Sequence, residues 1–167
     1  MGYEFGQFVE WDFKKPLDWH LLEYPLHHYT SQYVRALNQF YRSHKALYEL
    51  DCQAEGFEWI HCDDVDHSVI SFVRKGKKVG DFLVFVFNFT PMSHKEYRIG
   101  VPKKGQYEEL FNSDDKDFGG AGIHNTAVTT QKLPFHGHAY SIALDIPPLS
   151  MMAFKKKPQT KKKTPKE

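Results

Sequence analysis

Residues 82–89 read Phe-Leu-Val-Phe-Val-Phe-Asn-Phe, and this run carries the clearest architectural signal in the chain. Side chains of a β-strand point alternately to the two faces of a sheet. Because the run is apolar at odd and at even positions, both of its faces require burial. We therefore predict that residues 82–89 form a strand in the centre of a sheet.

Short alternating segments lie on both sides of this run. Turn residues separate them, among them Lys75-Gly76, Thr90-Pro91 and Pro147-Pro148. About seven or eight short strands with no helical pattern between them predict an antiparallel β-sandwich or Greek key. Besides the central strand, the predicted strands fall at about 57–62, 68–74, 95–100, 106–111, 127–133, 140–146 and 149–154.

One amphipathic helix is predicted before the strands, beginning at about Thr30 and running for about sixteen residues. Thr30 or Ser31 is a suitable N-cap, because its hydroxyl can accept a hydrogen bond from a free amide of the first turn. Bulky residues recur at three- and four-residue steps, which places them on one face of the helix. They are Tyr33, Leu37, Phe40, Tyr41, His44 and Tyr48.

Charge is distributed unevenly along the 167 residues, whose formal net charge is +1. The segment 155–167 holds seven lysines and one glutamate, which leaves residues 1–154 with a net charge of about −5. An acidic body does not favour nucleic acid as a partner. Since residues 156–167 have no apolar side chain to bury, we expect a disordered tail, either a solubilising end or an electrostatic contact with an anionic partner.

The chain has no run of eighteen apolar residues and no signal-peptide pattern at its start. Cys52 and Cys62 could form a disulfide, but two free thiols in a reducing compartment is the favoured interpretation. We therefore expect a cytoplasmic protein without a membrane partner. His27-His28 and His136-Gly137-His138 lack further ligands at the spacing of structural zinc sites, so neither a metal nor a cofactor is predicted.

The N-terminal segment combines carboxylates, amides and aromatic rings, the groups that commonly bind sugars through hydroxyl hydrogen bonds and ring stacking. Its candidate substrate-binding residues are Glu4, Gln7, Trp11, Asp18 and Trp19. The alternative is that the polar residues satisfy loop backbone and that the tryptophans fill a core. Trp59, a further candidate, shares a strand face with Phe57, whereas Ile60 lies on the other face. If the Ile60 face is the core, Trp59 is exposed and becomes the better binding candidate.

Distinctive motifs follow one another along some 150 residues. They include Met1-Gly-Tyr-Glu-Phe-Gly-Gln7, Leu17-Asp-Trp-His-Leu-Leu-Glu23, Val34-Arg-Ala-Leu-Asn38, Gly56-Phe-Glu-Trp-Ile60, Asn88-Phe-Thr-Pro91 and Leu144-Asp-Ile-Pro-Pro-Leu149. In this order they resemble bacterial 1,4-α-glucan (glycogen) branching enzymes of the α-amylase superfamily. The resemblance implies that residues 1–50 are the end of a (β/α)₈ barrel (its last strand, loop and helix) and that residues 51–155 are an all-β C-terminal domain. Residues 4–23 would then line the glucan groove.

The resemblance also implies what the chain lacks. The family's nucleophile, acid/base and stabilising carboxylates lie on earlier barrel strands, so no catalytic residue is expected in this chain. The intact enzyme would cleave an α-1,4 link by double displacement and transfer the glucan segment to a 6-hydroxyl, whereas this C-terminal fragment alone should be inactive. The implied partners are α-1,4-glucan and the missing N-terminal part of the same enzyme. Alternatives are a β-domain that binds glucan without turning it over, or one with a structural role only.

The helix raises one further expectation. If it is the last barrel helix, the stripe of Tyr33, Leu37, Phe40 and Tyr41 should face absent barrel helices and form an exposed apolar patch. The alternative is that the helix docks on the β-domain.

Overall fold

The computed structural model describes residues 1–158, whose strands form two antiparallel sheets. The larger sheet has the strand order β1-β2-β3-β8-β5-β6, and the smaller one pairs β4 with β7. This confirms the mainly β, antiparallel prediction. The strands are β1 (Phe57–Asp64), β2 (Val69–Lys75), β3 (Phe82–Asn88), β4 (His94–Val101), β5 (Gln106–Asn112), β6 (Val128–Thr129), β7 (Tyr140–Ile146) and β8 (Ser150–Lys156).

Helical structure is concentrated before the sheets. The α-helix α1 spans Pro25–Ser43, and short 3₁₀ turns lie on both sides of it. No helix within residues 1–158 is long and apolar enough to cross a membrane. The 3₁₀ turns are Tyr3–Phe5, Trp19–Glu23, Lys45–Leu47, Ala54–Gly56 and Lys116–Phe118.

Strand β3 lies between β2 and β8, in the interior of the larger sheet, as its sequence predicts. Its even positions, such as Val84 and Val86, face the smaller sheet, and its odd positions, Leu83 and Phe85, face α1. All four side chains are at most 7% exposed. The apolar character of both faces of β3 therefore reflects burial on both sides.

The inner core lies between the two sheets. The smaller sheet supplies Ile99 and Val101 from β4 and Ile142, Leu144 and Ile146 from β7. Each of these side chains is 0–1% exposed. Burying one such aliphatic side chain is worth about 1.5–3 kcal/mol, so this layer is a main source of stability.

Helix α1 packs on the outer face of the larger sheet. The Phe40 ring is 7% exposed and its centroid lies 5.1 Å from that of Phe111 and 6.5 Å from that of Phe85. Tyr33 contacts Phe111 at 5.9 Å. The expectation that this stripe is exposed is therefore wrong for Tyr33, Leu37 and Phe40, which dock on the β-domain as the alternative has it, whereas Tyr41 is 44% exposed. The outer face of the sheet is itself apolar, so the helix finds its partner within the chain.

The start of α1 also differs from the prediction. The helix begins at Pro25, five residues before Thr30, and its N-cap is Tyr24, which forms no side-chain cap. Proline suits the first helical position, because its ring has the helical φ and the missing N–H would be unpaired there. Thr30 instead donates from Oγ1 to the Leu26 carbonyl oxygen at 2.8 Å within the helix.

The predicted barrel remnant is not confirmed, because residues 1–56 contain no strand. A barrel strand is held by hydrogen bonds to parallel neighbours. Here the backbone turns on itself instead: Gly6 N donates to the Tyr3 carbonyl at 3.1 Å. Gly2 and Gly6 both have positive φ, 87° and 71°, which supports this tight turn.

Two other boundaries shift. The strand predicted at 127–133 is reduced to Val128–Thr129, and β8 extends to Lys156, the first residue of the predicted tail. The remainder of that tail from residue 159 onward lies outside the described residues. Cys52 and Cys62 are both free and exposed.

Candidate functional site

Gln7 holds the N-terminal segment together. Its Oε1 accepts a hydrogen bond from the Asp18 amide at 3.0 Å, and its Nε2 donates to the Val9 carbonyl at 2.9 Å. These bonds bring Gln7, Asp18 and Trp19 to one place. Both polar atoms of the Gln7 side chain are therefore bonded to the loop backbone. Gln7 thus positions the candidate site and is less suited to bind a ligand directly.

Trp19 rests on a buried support. Its ring lies 5.1 Å from that of Phe5 at an interplanar angle of 34°, and it is 56% exposed, whereas Phe5 is 1% exposed. His27 of α1 fixes the support by donating from Nδ1 to the Phe5 carbonyl at 2.7 Å. The indole is therefore an anchored aromatic surface, which suits stacking on a sugar ring.

Trp11 and Glu4 lie on the exposed side of the same segment. Trp11 is 48% exposed, and Glu4 occupies the 3₁₀ turn Tyr3–Phe5. Within residues 1–158, neither the Glu4 nor the Asp18 carboxylate forms an ion pair, and Asp18 does not cap the turn that follows it. Both carboxylates can therefore accept hydrogen bonds from hydroxyl groups of a ligand.

Trp59 lies apart from this segment, on β1 at the edge of the larger sheet. It is 51% exposed, whereas Ile60 is 7% exposed, which confirms the conditional prediction. The Trp59 ring stands perpendicular to those of Phe57 and Phe72, with centroids 4.8 and 5.8 Å away. Its edges are therefore fixed by neighbours while much of the ring remains accessible.

Further aromatic rings, which the sequence pattern did not single out, extend this surface along the sheet. Phe72 lies 5.7 Å from Phe87, which lies 6.0 Å from the 59% exposed Phe89. Their period-two spacing on neighbouring strands was the available signal. We call this set the aromatic surface: it comprises Phe57, Trp59, Phe72, Phe87 and Phe89.

A groove of about 720 Å³ runs between the first half of α1, the C-terminal end of β3 and the N-terminal end of β8. Its central polar residue, Asn88, is 2% exposed. Asn88 donates to the carbonyls of Met92 (2.7 Å) and Pro147 (2.8 Å) and accepts from the Thr90 amide and hydroxyl. Because its hydrogen bonds are already made inside the protein, Asn88 stabilises a turn and does not present a ligand-binding group.

Histidines cluster where β1 meets the turn at 135–138. The His61 and His136 rings stack with centroids 4.0 Å apart and an interplanar angle of 15°. Burial, assisted by the neighbouring His61, lowers the pKa of His136 to about 4. Within residues 1–158 no group of three metal-ligating side chains has the geometry to hold an ion. The stack packs the turn 135–138 against β1.

A second histidine contact stabilises the turn after β1. His67 donates from Nδ1 to Asp64 at 2.9 Å, and the Tyr97 hydroxyl donates to the same carboxylate at 2.5 Å. Burial alone would raise the pKa of Asp64, but these hydrogen bonds lower it to about 2. The charged carboxylate thus ties β1 to β4 of the smaller sheet.

The sequence matches one protein family and several known proteins. Residues 59–157 match the family described as "Alpha amylase, C-terminal all-beta domain". The chain is 47% identical over 156 residues to the 1,4-alpha-glucan branching enzyme GlgB of Aquifex aeolicus and 49% identical over 156 residues to that of Halothermothrix orenii. Each match covers 93% of this chain and 25% of the relative, so the chain spans about a quarter of their length.

A third relative, GlgB of Paramagnetospirillum magneticum, is 48% identical over 93% of this chain and 21% of its own length. Among solved structures, the alpha-amylase of H. orenii aligns over 77% of this chain and 20% of its own, with a TM-score of 0.45 and 17% identity. The match over 59–157 spans β2 to β8 and starts within β1. The chain therefore belongs to the family of α-amylase C-terminal all-β domains.

Proposed function

We propose that this chain is the C-terminal part of a 1,4-α-glucan branching enzyme. The observation that carries the proposal is identity of 47–49% to GlgB proteins over 93% of the chain, including residues outside the all-β domain. Such an enzyme would transfer α-1,4-glucan segments to form α-1,6 branches in glycogen. The exposed free thiols of Cys52 and Cys62 support a cytoplasmic location.

In this proposal, residues 1–50 complete the catalytic barrel and residues 51–155 form the domain beside it. The N-terminal segment contributes Glu4, Trp11, Asp18 and Trp19 to the glucan groove, with Gln7 positioning the loop. Support comes from the carboxylates of Glu4 and Asp18, which form no ion pair within residues 1–158, and from the exposed Trp19 ring over Phe5. Bond cleavage requires a pair of carboxylates flanking the glycosidic bond, which the proposal assigns to the upstream part of the enzyme.

A chimera tests the proposal. The C-terminal quarter of the A. aeolicus relative is replaced by this chain, and branching of amylose is measured as new α-1,6 linkages by NMR. We expect an active chimera and an inactive isolated chain. Branch formation by the purified chain alone would refute the assignment of catalysis to the upstream part, and an inactive, folded chimera would refute the family function.

Two variants of the chimera test the site. Trp19→Ala should lower kcat/KM about two- to tenfold, because one aromatic stacking contact is worth about 0.5–1.5 kcal/mol. Phe13→Ala is the matched control, since Phe13 is a 75% exposed aromatic residue of the same segment without a proposed contact. Equal losses in both variants would show that Trp19 has no special role.

A second candidate function is glucan binding by the all-β domain itself. The observation that favours it is the half-exposed Trp59 held within the aromatic surface. Electrophoresis of the chain through gels that contain glycogen should show retardation, and Trp59→Ala should reduce it. Unretarded migration of the unaltered chain would remove this candidate and leave a purely structural role for the domain.

A further inference from the structure

An apolar strip runs from the N-terminal segment across the start of α1 to the turns that follow β3 and precede β8. Two grooves form it, one of about 490 Å³ beside the N-terminal segment and the other of about 720 Å³ beside Asn88, and Leu26 lines both. Within residues 1–158, no Asp, Glu, Lys or Arg side chain lines either groove. We define the apolar strip by its exposed residues, each 57–83% exposed: Phe8, Tyr24, Leu26, Phe89 and Leu149.

A third groove on α1 shows the contrast. It has a volume of about 620 Å³, and its lining includes the charged side chains of Arg35, Lys116 and Asp117. Charged side chains keep such a groove in water, whereas an apolar surface gains free energy when it is covered. Contiguous exposed apolar surface of this kind marks an interaction site.

The polar side chains of the larger groove are already engaged within the chain. The Ser150 hydroxyl donates to the Pro147 carbonyl at 2.7 Å, and the Ser113 hydroxyl accepts from the Met151 amide at 2.8 Å. Asn88 and Thr30 are bonded to backbone or neighbouring groups in the same way. A sugar needs free hydrogen-bonding groups beside an aromatic ring. The groove therefore suits the apolar side chains of a protein better than a glucan.

The exposed rings of the apolar strip are held in place before any partner binds. Phe8 lies edge-on to His27 with ring centroids 4.9 Å apart. Phe89 stacks on Phe87 with centroids 6.0 Å apart and an interplanar angle of 12°. A surface that is ordered beforehand loses little entropy on binding.

Leu149 gives the strongest sign that the apolar strip has a partner. Its φ is 45°, in the left-handed region that glycine and asparagine adopt at a lower cost. The side chain is 70% exposed, so its burial does not offset that cost within this chain. The Leu149 amide donates to the Thr90 carbonyl at 2.8 Å, which joins its turn to that of Phe89. Strain at an exposed apolar residue points to a contact made elsewhere.

That partner must reach residues that lie far apart in the sequence. Leu26 belongs to the segment that the proposed function assigns to the barrel, whereas Phe89 and Leu149 belong to the all-β domain. The GlgB relatives match this chain over 25% of their length, so about three quarters of such an enzyme lie outside the matched region. Because that part shares one polypeptide with the apolar strip, its local concentration exceeds that of a separate partner.

We propose that the apolar strip is the docking face for the upstream, catalytic part of the same branching enzyme. The inference rests on the proposed function, which assigns only residues 1–50 to the barrel. It goes further by giving the all-β domain its own contact with the catalytic part, through Phe89 and Leu149. The surface that docks there carries bulky apolar side chains that fill the two grooves, and few charges. The all-β domain thereby braces the barrel.

Hydroxyl-radical footprinting, read by mass spectrometry, tests the docking. It compares this chain alone with the chimera in which the chain replaces the C-terminal quarter of the A. aeolicus relative. We expect oxidation of the five strip residues to fall about fivefold in the chimera, because the core of an interface excludes water. Trp59 is the internal control: it is 51% exposed, lies outside the apolar strip, and should be oxidised equally in both proteins.

The variant Leu149→Asn separates docking from folding. In the isolated chain it should raise Tm by about 1–3 °C, because asparagine relieves the backbone strain. In the chimera it should lower Tm and increase oxidation of Phe89 about twofold, because an apolar contact of the interface is lost. Val79→Asn is the matched control: Val79 is 92% exposed in the turn after β2, and its replacement should shift Tm by less than about 1 °C in either protein.

Each outcome separates this inference from the proposed function. Equal oxidation of the apolar strip in both proteins overturns the inference, and branching activity of that chimera would leave the proposed function standing. A rise in Tm on Leu149→Asn in the chimera also overturns it, because Leu149 is then not buried by docking. Protection that appears in the isolated chain as its concentration rises shows that a second copy covers the strip, and the inference is wrong. Protection in an inactive chimera supports the docking and refutes the family function.

Discussion

Truncating Phe40 to alanine should destabilise the whole chain, because this ring joins α1 to the larger sheet. Phe40 is 7% exposed, and its ring lies 5.1 Å from Phe111 and 4.4 Å from His44. If α1 belonged only to a separate barrel, its removal from the sheet would cost the β-domain little. The substitution therefore measures whether the observed docking holds the fold together.

The expected loss is about 3 kcal/mol. Truncation of a buried phenylalanine to alanine typically costs about 3–5 kcal/mol, the spread depending on how far the site can relax. Grooves of about 440 and 550 Å³ border Phe40, so solvent can reach part of the space that the ring leaves. We therefore place the loss at the lower limit of the range.

Urea unfolding, followed by far-ultraviolet circular dichroism, measures the loss. With a slope of about 2 kcal/mol per molar urea, Phe40→Ala should move the midpoint down by about 1.5 M. Tyr41→Ala is the matched control, because Tyr41 is the next residue of α1 and is 44% exposed. The control should lose less than about 1 kcal/mol.

A double-mutant cycle locates the effect. Phe40→Ala and Phe111→Ala, made singly and together, should show a coupling energy of about 0.5–1.5 kcal/mol, the value of an aromatic pair. Equal midpoints for Phe40→Ala and Tyr41→Ala, or a coupling near zero, would refute the docking of α1 on the sheet.

Three further substitutions test the β-domain. In Gly100→Ala the new Cβ would lie 2.2 Å from the Phe135 carbonyl oxygen. We therefore expect the free energy of unfolding to fall by about 1–3 kcal/mol, measured by thermal unfolding. An unchanged Tm would contradict the close approach. Asp114 accepts a hydrogen bond from the Ile123 amide at 2.9 Å. The variant Asp114→Ala should therefore increase hydrogen exchange at the Ile123 amide and lower the free energy of unfolding by about 1–3 kcal/mol. Unchanged exchange would show that this bond does not hold the loop. Because the pKa of His136 is lowered to about 4, the unfolded chain binds the extra proton, and stability should fall as pH drops from about 6.5 towards 4. Partial solvation of the ring limits this loss of stability to about 1 kcal/mol. The variant His136→Asn should remove the pH dependence, and asparagine suits the φ of 46° at this turn. An identical pH profile for the variant would exclude His136 as the cause.

The strands could be predicted from sequence because their signal is local. A period of two, interrupted by Gly, Pro and Asp, reports alternate burial wherever one sheet face is covered. The run at β3 also revealed its central position, since only an interior strand with both faces covered needs apolar residues throughout. The same parity argument placed Trp59 and Ile60 on opposite faces, so that burial of Ile60 implies an exposed Trp59, as the structure has it.

The partner of an apolar stripe could not be predicted in the same way. The stripe of α1 would fit other helices or a sheet equally well, and only the assembled larger sheet shows which one covers Phe40. Local parity also fails at an irregularity of β1, where Trp59 pairs with Phe72 but His61 pairs with Ser71. This shift turns His61 to the inner side, where Ser71 is 1% exposed, and its stack with His136 was missed.

A cluster of lysines at one end of the larger sheet, with Lys75, Lys103 and Lys155 among them, was hidden for a related reason. Its lysines come from segments some eighty residues apart in sequence, and they meet only because β8 lies between β3 and β5. That pairing is non-local and leaves no periodic trace. The sequence showed the lysines near residue 155 as part of a tail, whereas Lys155 and Lys156 belong to a strand.

The position of β8 also sets the order in which a nascent chain can fold. On the ribosome, β1, β2 and β3 emerge first and can pair with one another at once, but the second edge of β3 has no partner until residues 150–156 are made. During that interval the most apolar strand of the protein presents free amide and carbonyl groups to other chains, which is a route to aggregation. Synthesis of β8 closes that edge and joins β5 to the sheet, so folding of the larger sheet is completed by the strand that is translated last among the eight.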